Sequence, residues 1–424
     1  MREFSFILLL ISTIIPVIQA YKDRDKIYQL PFLYSMAVMV WILPTLLGVI
    51  DNKKLVTDSE YIRYCLFSVL CYWAAIVGYI TYGNKRKPKV EVINAYDPDK
   101  MSRFLYVIMV ISFGALIVMG GYDAESRNGG TYAVLLYPAR CLRPATIMLL
   151  TLYLVKPSKD KMFFLIISVL FSLKIIIIDG RRSEVFNLMI TIVFPLFFIK
   201  NIRVKRSLIL PAVFVGVFVI TVLPAYRNYS LKGNFSSLAD ISPTAVMASY
   251  VVGDNRNEVV DAARNVEVAD LSGDYNWGIT LYNAFIYQYA SSNIFGAKFK
   301  EELMIPYNLD LVKLRDQHAK YDGDEYRYYL SPTGFAAVFF EFGYLGFILF
   351  FLFAIITKRY YLKAIRRDNI SAIMFYCFFS TFILFSIYDS MLFIPTNIIM
   401  YLLVFVGARK FSRIHKKFYI MEKV

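Results

Sequence analysis

Long apolar segments alternate with short polar segments along most of the chain. A helix needs about 20 mainly apolar residues to cross the hydrocarbon core of a bilayer, and eleven segments approach this length. Lipid offers the backbone no hydrogen-bond partners, so we expect each segment to be helical. The predicted spans are Phe4–Ala20, Tyr28–Ile50, Ile62–Tyr82, Phe104–Gly120, Val134–Val155, Met162–Ile178, Val185–Ile199, Ser207–Leu223, Phe335–Ile356, Ile370–Tyr388 and Met391–Val406.

One polar interval is much longer than the others, and loops of this length are uncommon unless they have a function of their own. Within it, Glu258–Val268 has an amphipathic helical pattern and Leu281–Tyr289 has an apolar face. We therefore predict an all-α integral membrane protein of about eleven transmembrane helices, with one large loop that carries short helices. Its parts are residues 1–223 (eight spans), 224–334 (the loop), 335–408 (three spans) and 409–424 (a basic tail).

Composition supports this division. Hydrophobic residues make up 58% of the chain and charged residues 19%, against roughly 45–50% and 25% in ordinary globular proteins. These values exclude a disordered, collagen-like or soluble nucleic-acid-binding chain. The net charge of +15 would suggest nucleic acid in a soluble protein, but in a membrane protein the distribution of the basic residues between the loops is what matters.

The basic residues predict the orientation of the chain. Alternate loops, beginning with the one at Lys22, carry most of the lysine and arginine residues found between the predicted spans. Cytoplasmic loops are enriched in these residues, so we expect the N-terminus and the large loop to be extracytoplasmic and the C-terminus to be cytoplasmic. Met1–Ala20 also resembles a signal peptide. Cleavage there would place the basic segment 22–26 outside, so the charge pattern favours a first span.

Arginine residues provide the main chemical signal. Arg140 and Arg143 are three positions apart, so a continuous helix would present them on one face. Arg181 and Arg182 lie in a tight turn between two apolar runs, and Arg227 follows the eighth predicted span. Charged residues inside or at the mouth of a membrane bundle usually mark functional sites, and guanidinium groups bind phosphate and pyrophosphate well. We expect these five residues to gather at the extracytoplasmic surface.

Two other interpretations of these arginines remain open. The side chains of Arg181 and Arg182 could pair with nearby carboxylates, those of Asp179 and Glu184. Arg140 and Arg143 could instead extend their guanidinium groups to lipid headgroups. Ser183 could cap the following helix, with Glu184 in its first turn.

Few other residues suggest catalysis. His318 is the only histidine of the large loop, and its imidazole could accept a proton. The carboxylates of Asp322, Asp324 and Glu325 are rival bases. The four cysteines lie in apolar runs, which predicts buried thiols and neither a disulfide framework nor a metal site.

The end of the large loop contains a second motif. Ser331-Pro332-Thr333-Gly334 leads into the ninth predicted span, where Glu341-Phe342-Gly343-Tyr344-Leu345-Gly346 follows. Glu341 should face the bundle or a polar cavity, because a carboxylate is costly in lipid. The glycines permit close helix contact. The loop is also rich in tyrosine, whose ring can stack on a sugar.

This arrangement resembles the Wzy-type polymerases of O-antigen and oligosaccharide repeat units. The resemblance depends on the topology, the Gly180-Arg181-Arg182-Ser183 turn and the motif around residues 331–346. It implies a bacterial inner-membrane glycosyltransferase of the GT-C type, related to O-antigen ligases, which acts at the periplasmic face on undecaprenyl-pyrophosphate-linked glycans without a metal or other cofactor. It also implies that a flippase and a chain-length regulator are partners.

The resemblance and the residues together predict a site. Arg182 and Arg227 match the family's arginines at the turn and at the start of the loop, and His318 takes the place of the ligases' loop histidine. We expect these three to be catalytic. The predicted substrate-binding residues are Arg140, Arg143, Arg181, Tyr226, Arg327, Tyr329, Ser331, Thr333 and Glu341. The alternatives are a flippase or other transporter of lipid-linked oligosaccharides, a non-catalytic component of an export complex, and an O-antigen ligase.

Overall fold

The computed structural model describes residues 1–53, 55–82, 97–119, 133–177, 182–209, 258–290, 292–309, 333–366 and 370–413, with isolated positions between 211 and 222. The regular elements in these ranges are helices. They are α1 (Arg2–Lys22), α2 (Leu30–Ala37), α3 (Leu43–Val49), α4 (Asp58–Thr81), α5 (Pro98–Val118), α6 (Leu136–Arg140), α7 (Leu142–Val155), α8 (Lys159–Ile177), α9 (Arg182–Lys200), α10 (Glu258–Ser272), α11 (Ile279–Tyr289), α12 (Ser292–Phe295), α13 (Ala297–Leu303), α14 (Gly334–Phe342), α15 (Phe347–Ala364), α16 (Ile370–Tyr388) and α17 (Ile394–Ser412).

Within the described residues, seven helical segments are long and apolar enough to cross a membrane. They are Arg2–Lys22, Leu30–Val49, Asp58–Thr81, Pro98–Val118, Ser183–Lys200, Gly334–Ala364 and Ile370–Tyr388. The predicted class, an α-helical multi-pass membrane protein, is confirmed. The total of eleven spans stays a prediction.

Three predicted spans are not regular helices throughout. A π-helical turn, Val38–Ile42, separates α2 from α3, directly before Pro44, which cannot donate a backbone hydrogen bond. The chain turns at Cys141 between α6 and α7. Between α14 and α15 it turns at Gly343, whose φ of 55° is a conformation that suits glycine. Each of these three spans therefore consists of two helices joined by a short interruption.

Helix α1 belongs to the bundle and runs parallel to α4. Arg2 forms an ion pair with Asp58 at 2.6 Å, and about three to four turns farther along the two helices the Trp73 indole donates to the Ser12 hydroxyl at 2.9 Å. The buried Arg2 guanidinium also donates to the backbone carbonyl of Ile50 at 3.0 Å. These contacts place α1, which covers the first predicted span, against α4 and the chain that precedes it.

Helix α10 docks against α4 through charged and apolar contacts. Arg63 pairs with Glu267 at 3.1 Å and also with Asp270, and Ser59 donates to Glu267 at 2.9 Å. The apolar side of α10, including Val260 and Val266, is buried. We call this the loop end of the bundle. Helices α10 and α11 cover the two helical patterns predicted within the polar interval.

The opposite end of the bundle carries a different set of ion pairs. Lys156 at the end of α7 contacts Asp99 of α5 at 2.6 Å. Arg203, after α9, contacts Asp25 at 2.9 Å. Between the two ends, Cys65, Cys71 and Cys377 are buried free thiols and Cys141 is half-buried, as predicted for small apolar side chains.

Candidate functional site

A polar cluster lies at the loop end of the bundle, where α7, α9 and α16 meet. Arg143 of α7 forms a short ion pair with Glu184 in the first turn of α9. The hydroxyl of Tyr388, at the end of α16, interacts with the Ser183 side chain and lies within electrostatic range of Arg143 and Glu184. We call these four residues, Arg143, Ser183, Glu184 and Tyr388, the α9 cluster.

The start of α9 makes this cluster suitable for an anion. The first backbone N–H groups of a helix have no partner within the helix, and the helix dipole places partial positive charge there. Arg182 is the first residue of α9, and its side chain lies outside the described residues. Glu184 compensates the charge of Arg143 and holds the arginine side chain against α9. A pyrophosphate contacted by Arg143 would therefore have to compete with this carboxylate.

Arg140 and Arg143 have different neighbours. Cys141 stands between α6 and α7, and its backbone stays in the α-helical region, with φ −71° and ψ −15°. Arg140 lies within electrostatic range of Tyr137 and Tyr289. Partial burial raises the pKa of the Tyr289 hydroxyl, and the positive charge of Arg140 lowers it. Arg140 therefore faces the loop helix α11, whereas Arg143 faces α9.

Helix α6 and helix α11 contact each other directly. The Tyr137 hydroxyl donates to the carbonyl of Gln288 at 2.6 Å, and the rings of Tyr137 and Tyr289 are 6.1 Å apart. Phe285 lies next to Tyr289 at 4.9 Å. The aromatic side chains Tyr137, Phe285 and Tyr289 thus form one surface beside Arg140.

Thr333 holds the beginning of α14 within the bundle. Its side chain is fully buried, and its hydroxyl forms a 2.9 Å hydrogen bond with that of Tyr64. The next residue, Gly334, packs so closely on the carbonyl oxygen of Ser386 that a side chain there would overlap it. The structure thus gives Thr333 a packing contact, and its predicted contact with substrate stays a prediction.

Glu341 connects α14 to the loop instead of facing the centre of the bundle. The side chain is fully buried, and one carboxylate oxygen accepts the N–H of Gly278 at 2.6 Å. Backbone bonds reinforce the contact, because the N–H groups of Asn276 and Trp277 donate to the carbonyls of Phe340 and Glu341 at 2.9 and 2.8 Å. The turn at Gly343 makes this contact possible by ending α14 beneath the loop.

Replacing Glu341 by alanine should therefore weaken the attachment of the loop. A buried N–H group that loses its acceptor costs about 1–3 kcal/mol, and we expect the unfolding midpoint of the purified protein to fall accordingly. Glu302→Ala, at an exposed glutamate of α13, is the matched control. Equal midpoints for the two variants would show that the Glu341 contact contributes nothing to stability.

Two asparagines in the described part of the loop were not predicted. The Asn283 amide donates to the carbonyl of Ile305 at 2.7 Å and accepts from its N–H at 2.9 Å. The Asn276 side chain accepts from the N–H of Leu309 at 2.9 Å. Both are buried. A polar residue on the otherwise apolar face of α11 was the available signal for Asn283.

A cavity of about 270 Å³ adjoins the α9 cluster within the bundle. Tyr388 and Trp41 close its loop end, with their rings stacked 5.0 Å apart. The cavity is lined by Ile27, Phe32, Leu33, Met36, Ala37, Val40, Trp41, Phe186, Met189, Ile190, Val193, Phe194, Val204, Leu208, Ile209, Ala212, Leu384 and Tyr388.

Several predicted site residues cannot be placed in this geometry. The residues outside the described ranges are Arg181, Arg227, His318, Tyr226, Arg327, Tyr329 and Ser331, together with the side chain of Arg182. In the part of the chain that the structure describes, no three side chains of the His, Cys, Asp or Glu type are close enough to hold a metal ion.

Comparisons of the chain with known proteins found no match. No protein-family profile matches it, no curated protein resembles it significantly, and no solved structure matches its fold.

Proposed function

We propose that the protein polymerises undecaprenyl-pyrophosphate-linked oligosaccharide repeat units into O-antigen or a similar surface polysaccharide. The reaction takes place at the periplasmic face of a bacterial inner membrane. The chain crosses this membrane about eleven times, with its N-terminus outside and its C-terminus in the cytoplasm. The observation that supports the proposal best is the α9 cluster, which joins Arg143 to the first turn of α9 at the loop end of the bundle, where the Gly-Arg-Arg-Ser motif of the sequence ends.

The proposed reaction uses the arginine side chains expected at this end of the bundle. A hydroxyl of the acceptor repeat unit attacks the anomeric carbon of a glycan carried on lipid pyrophosphate. A carbon–oxygen bond forms, the bond to the pyrophosphate breaks, and the departing pyrophosphate takes the electron pair. Arg182 and Arg227, with Arg140, Arg143 and Arg181, stabilise the developing charge, as fixed donors do in other enzymes. His318 or one of the loop carboxylates takes the hydroxyl proton.

The ion pair between Arg143 and Glu184 has a positioning role in this proposal. It fixes the first turn of α9 against α7, so that the backbone of Arg182 at the start of the helix is held in place. The loop helices α10–α13, attached through Arg63 and Glu341, cover the same end of the bundle. Tyr226, Arg327, Tyr329 and Ser331 would complete the sugar-binding surface.

A flippase or transporter of the same lipid-linked glycan is the main alternative. Such a protein would be expected to line a passage through the membrane with polar groups. The lining of the described cavity is almost entirely apolar, which suits a hydrocarbon and not a sugar. An O-antigen ligase would use the same leaving group with a different acceptor. A flippase and a chain-length regulator are expected partners of the polymerase.

An assay with purified protein separates these functions. In detergent, with lipid-pyrophosphate-linked repeat units as the only substrate, we expect products of two, three and more units together with free undecaprenyl pyrophosphate. A flippase only moves lipid across a bilayer, and would leave the single units unchanged. A ligase would need an added acceptor. Unextended substrate in the presence of folded protein would contradict the proposal.

A further inference from the structure

The apolar cavity and the α9 cluster share one residue, Tyr388. Its ring lines the cavity beside Trp41, and its hydroxyl interacts with Ser183 next to the ion pair of Arg143. The apolar cavity is thus continuous with a polar cluster that contains the guanidinium group of Arg143, held by Glu184. This continuity of an apolar and a charged region matches a ligand that itself has an apolar tail and an anionic head.

The length and lining of the cavity restrict what can fill it. Along α2 and the π-helical turn, the lining extends from Phe32 to Trp41, which is about 14 Å at 1.5 Å per residue. The lining is almost entirely apolar along this length. It therefore offers contacts to a hydrocarbon chain and almost no hydrogen-bond partners to the hydroxyl groups of a sugar.

The cavity is also accessible from the lipid. Met189 and Leu208 line it, yet 44% and 52% of their surfaces are exposed on the outside of the described bundle. A chain longer than the cavity can therefore continue into the bilayer between α9 and the segment 204–212. Large apolar cavities stay dry and accept apolar ligands, so a tail is preferred over water.

We propose that this cavity holds the first part of the isoprenoid tail of a lipid pyrophosphate, with the pyrophosphate at the α9 cluster. The identity of the head rests on the proposed function, whereas the tail site rests on the cavity alone. The site lies between α2, α9 and α16, and it sets the position of the head by binding the tail beside it.

Trp41 offers a direct test, because it lines the cavity and is only 5% exposed. The chain has three tryptophans, so Trp73→Phe and Trp277→Phe leave Trp41 as the only indole. In nanodiscs of brominated phosphatidylglycerol, we expect bromine to quench this indole. Undecaprenyl pyrophosphate should relieve the quenching saturably. Undecaprenol, which lacks the charged head, should require about a tenfold higher concentration.

Variants that fill the cavity provide the control. Val193→Phe should weaken the effect about tenfold, since each displaced methylene contributes roughly a factor of four. Ala212→Phe, at the exposed rim, should act in the same direction with little effect on folding. Val107→Phe, on the exposed surface of α5, should change nothing.

Three results would overturn the inference. Equal relief by unbrominated phosphatidylglycerol would show that any bilayer lipid fills the cavity. An indole that bromolipid cannot quench, and whose emission the prenyl lipid does not alter, would show that no lipid enters. Unchanged binding by both filling variants would place the tail elsewhere. Polymer formation without a Trp41 response would remove this inference alone, whereas a Trp41 response without polymer formation would remove the proposed function alone.

Discussion

Cells that carry Arg182→Ala in place of the natural chain should make surface glycan with a single repeat unit and no ladder of longer products. Removing one donor that stabilises transition-state charge typically lowers a rate by about 10²–10³. Arg182 is the first residue of α9, where the helix dipole adds to the positive potential. The measurement is the glycan ladder on a gel, with the amount of inserted protein determined in parallel.

The same result is expected for Arg227→Ala. Arg203→Ala is the matched control, because Arg203 lies at the opposite end of the bundle in an exposed ion pair with Asp25. Such pairs contribute little to stability, so this variant should give the natural ladder. Wild-type chain lengths from correctly inserted Arg182→Ala and Arg227→Ala proteins would rule out the proposed role of the arginines.

The largest effect on folding should come from Gly334→Ala. A side chain at this position would overlap the backbone carbonyl oxygen of Ser386. Neither helix can move freely, because Thr333 at the start of α14 is bonded to Tyr64 and Ser386 of α16 is bonded to Tyr34. Overpacking of this kind costs about 1–3 kcal/mol. We expect a clearly lower unfolding midpoint in detergent and a reduced amount of inserted protein.

Gly114 is the matched position for this comparison. It also lies within a helix, α5, but no atom lies within 4 Å of where its side chain would begin. Alanine there should leave the midpoint unchanged or raise it, since alanine is about 0.5–1 kcal/mol better than glycine inside a helix. If both glycine variants behaved alike, the close contact between Gly334 and Ser386 would not be a feature of the folded protein.

The described residues show why some sequence expectations held and others did not. Helices in the apolar segments, and the amphipathic α10, were predictable because hydrophobic length and periodicity are local properties. Arg140 and Arg143 have different neighbours, since Arg140 lies beside Tyr289 of α11 and Arg143 pairs with Glu184 of α9. Those neighbours depend on which helices pack side by side, and sequence periodicity does not reveal them.

The polar contacts of the candidate site were also beyond the sequence. Arg143 pairs with Glu184, 41 positions away, and Glu341 bonds to Gly278 across 63 positions. From the sequence alone, Glu184 could equally pair with the neighbouring Arg181 and Arg182. The choice of partner depends on which helices pack side by side, and no spacing in the sequence encodes that arrangement.

By itself, the sequence determined that this is a helical membrane protein, because apolar segments of this length have no other stable conformation in lipid. It also determined where arginine and acidic residues interrupt those segments. Only the tertiary structure decided that Glu184 holds Arg143, that Glu341 attaches the loop, and that Tyr388 lies between a polar cluster and an apolar cavity. These contacts arise where separate helices meet, and the free energy that selects them comes from packing between distant parts of the chain.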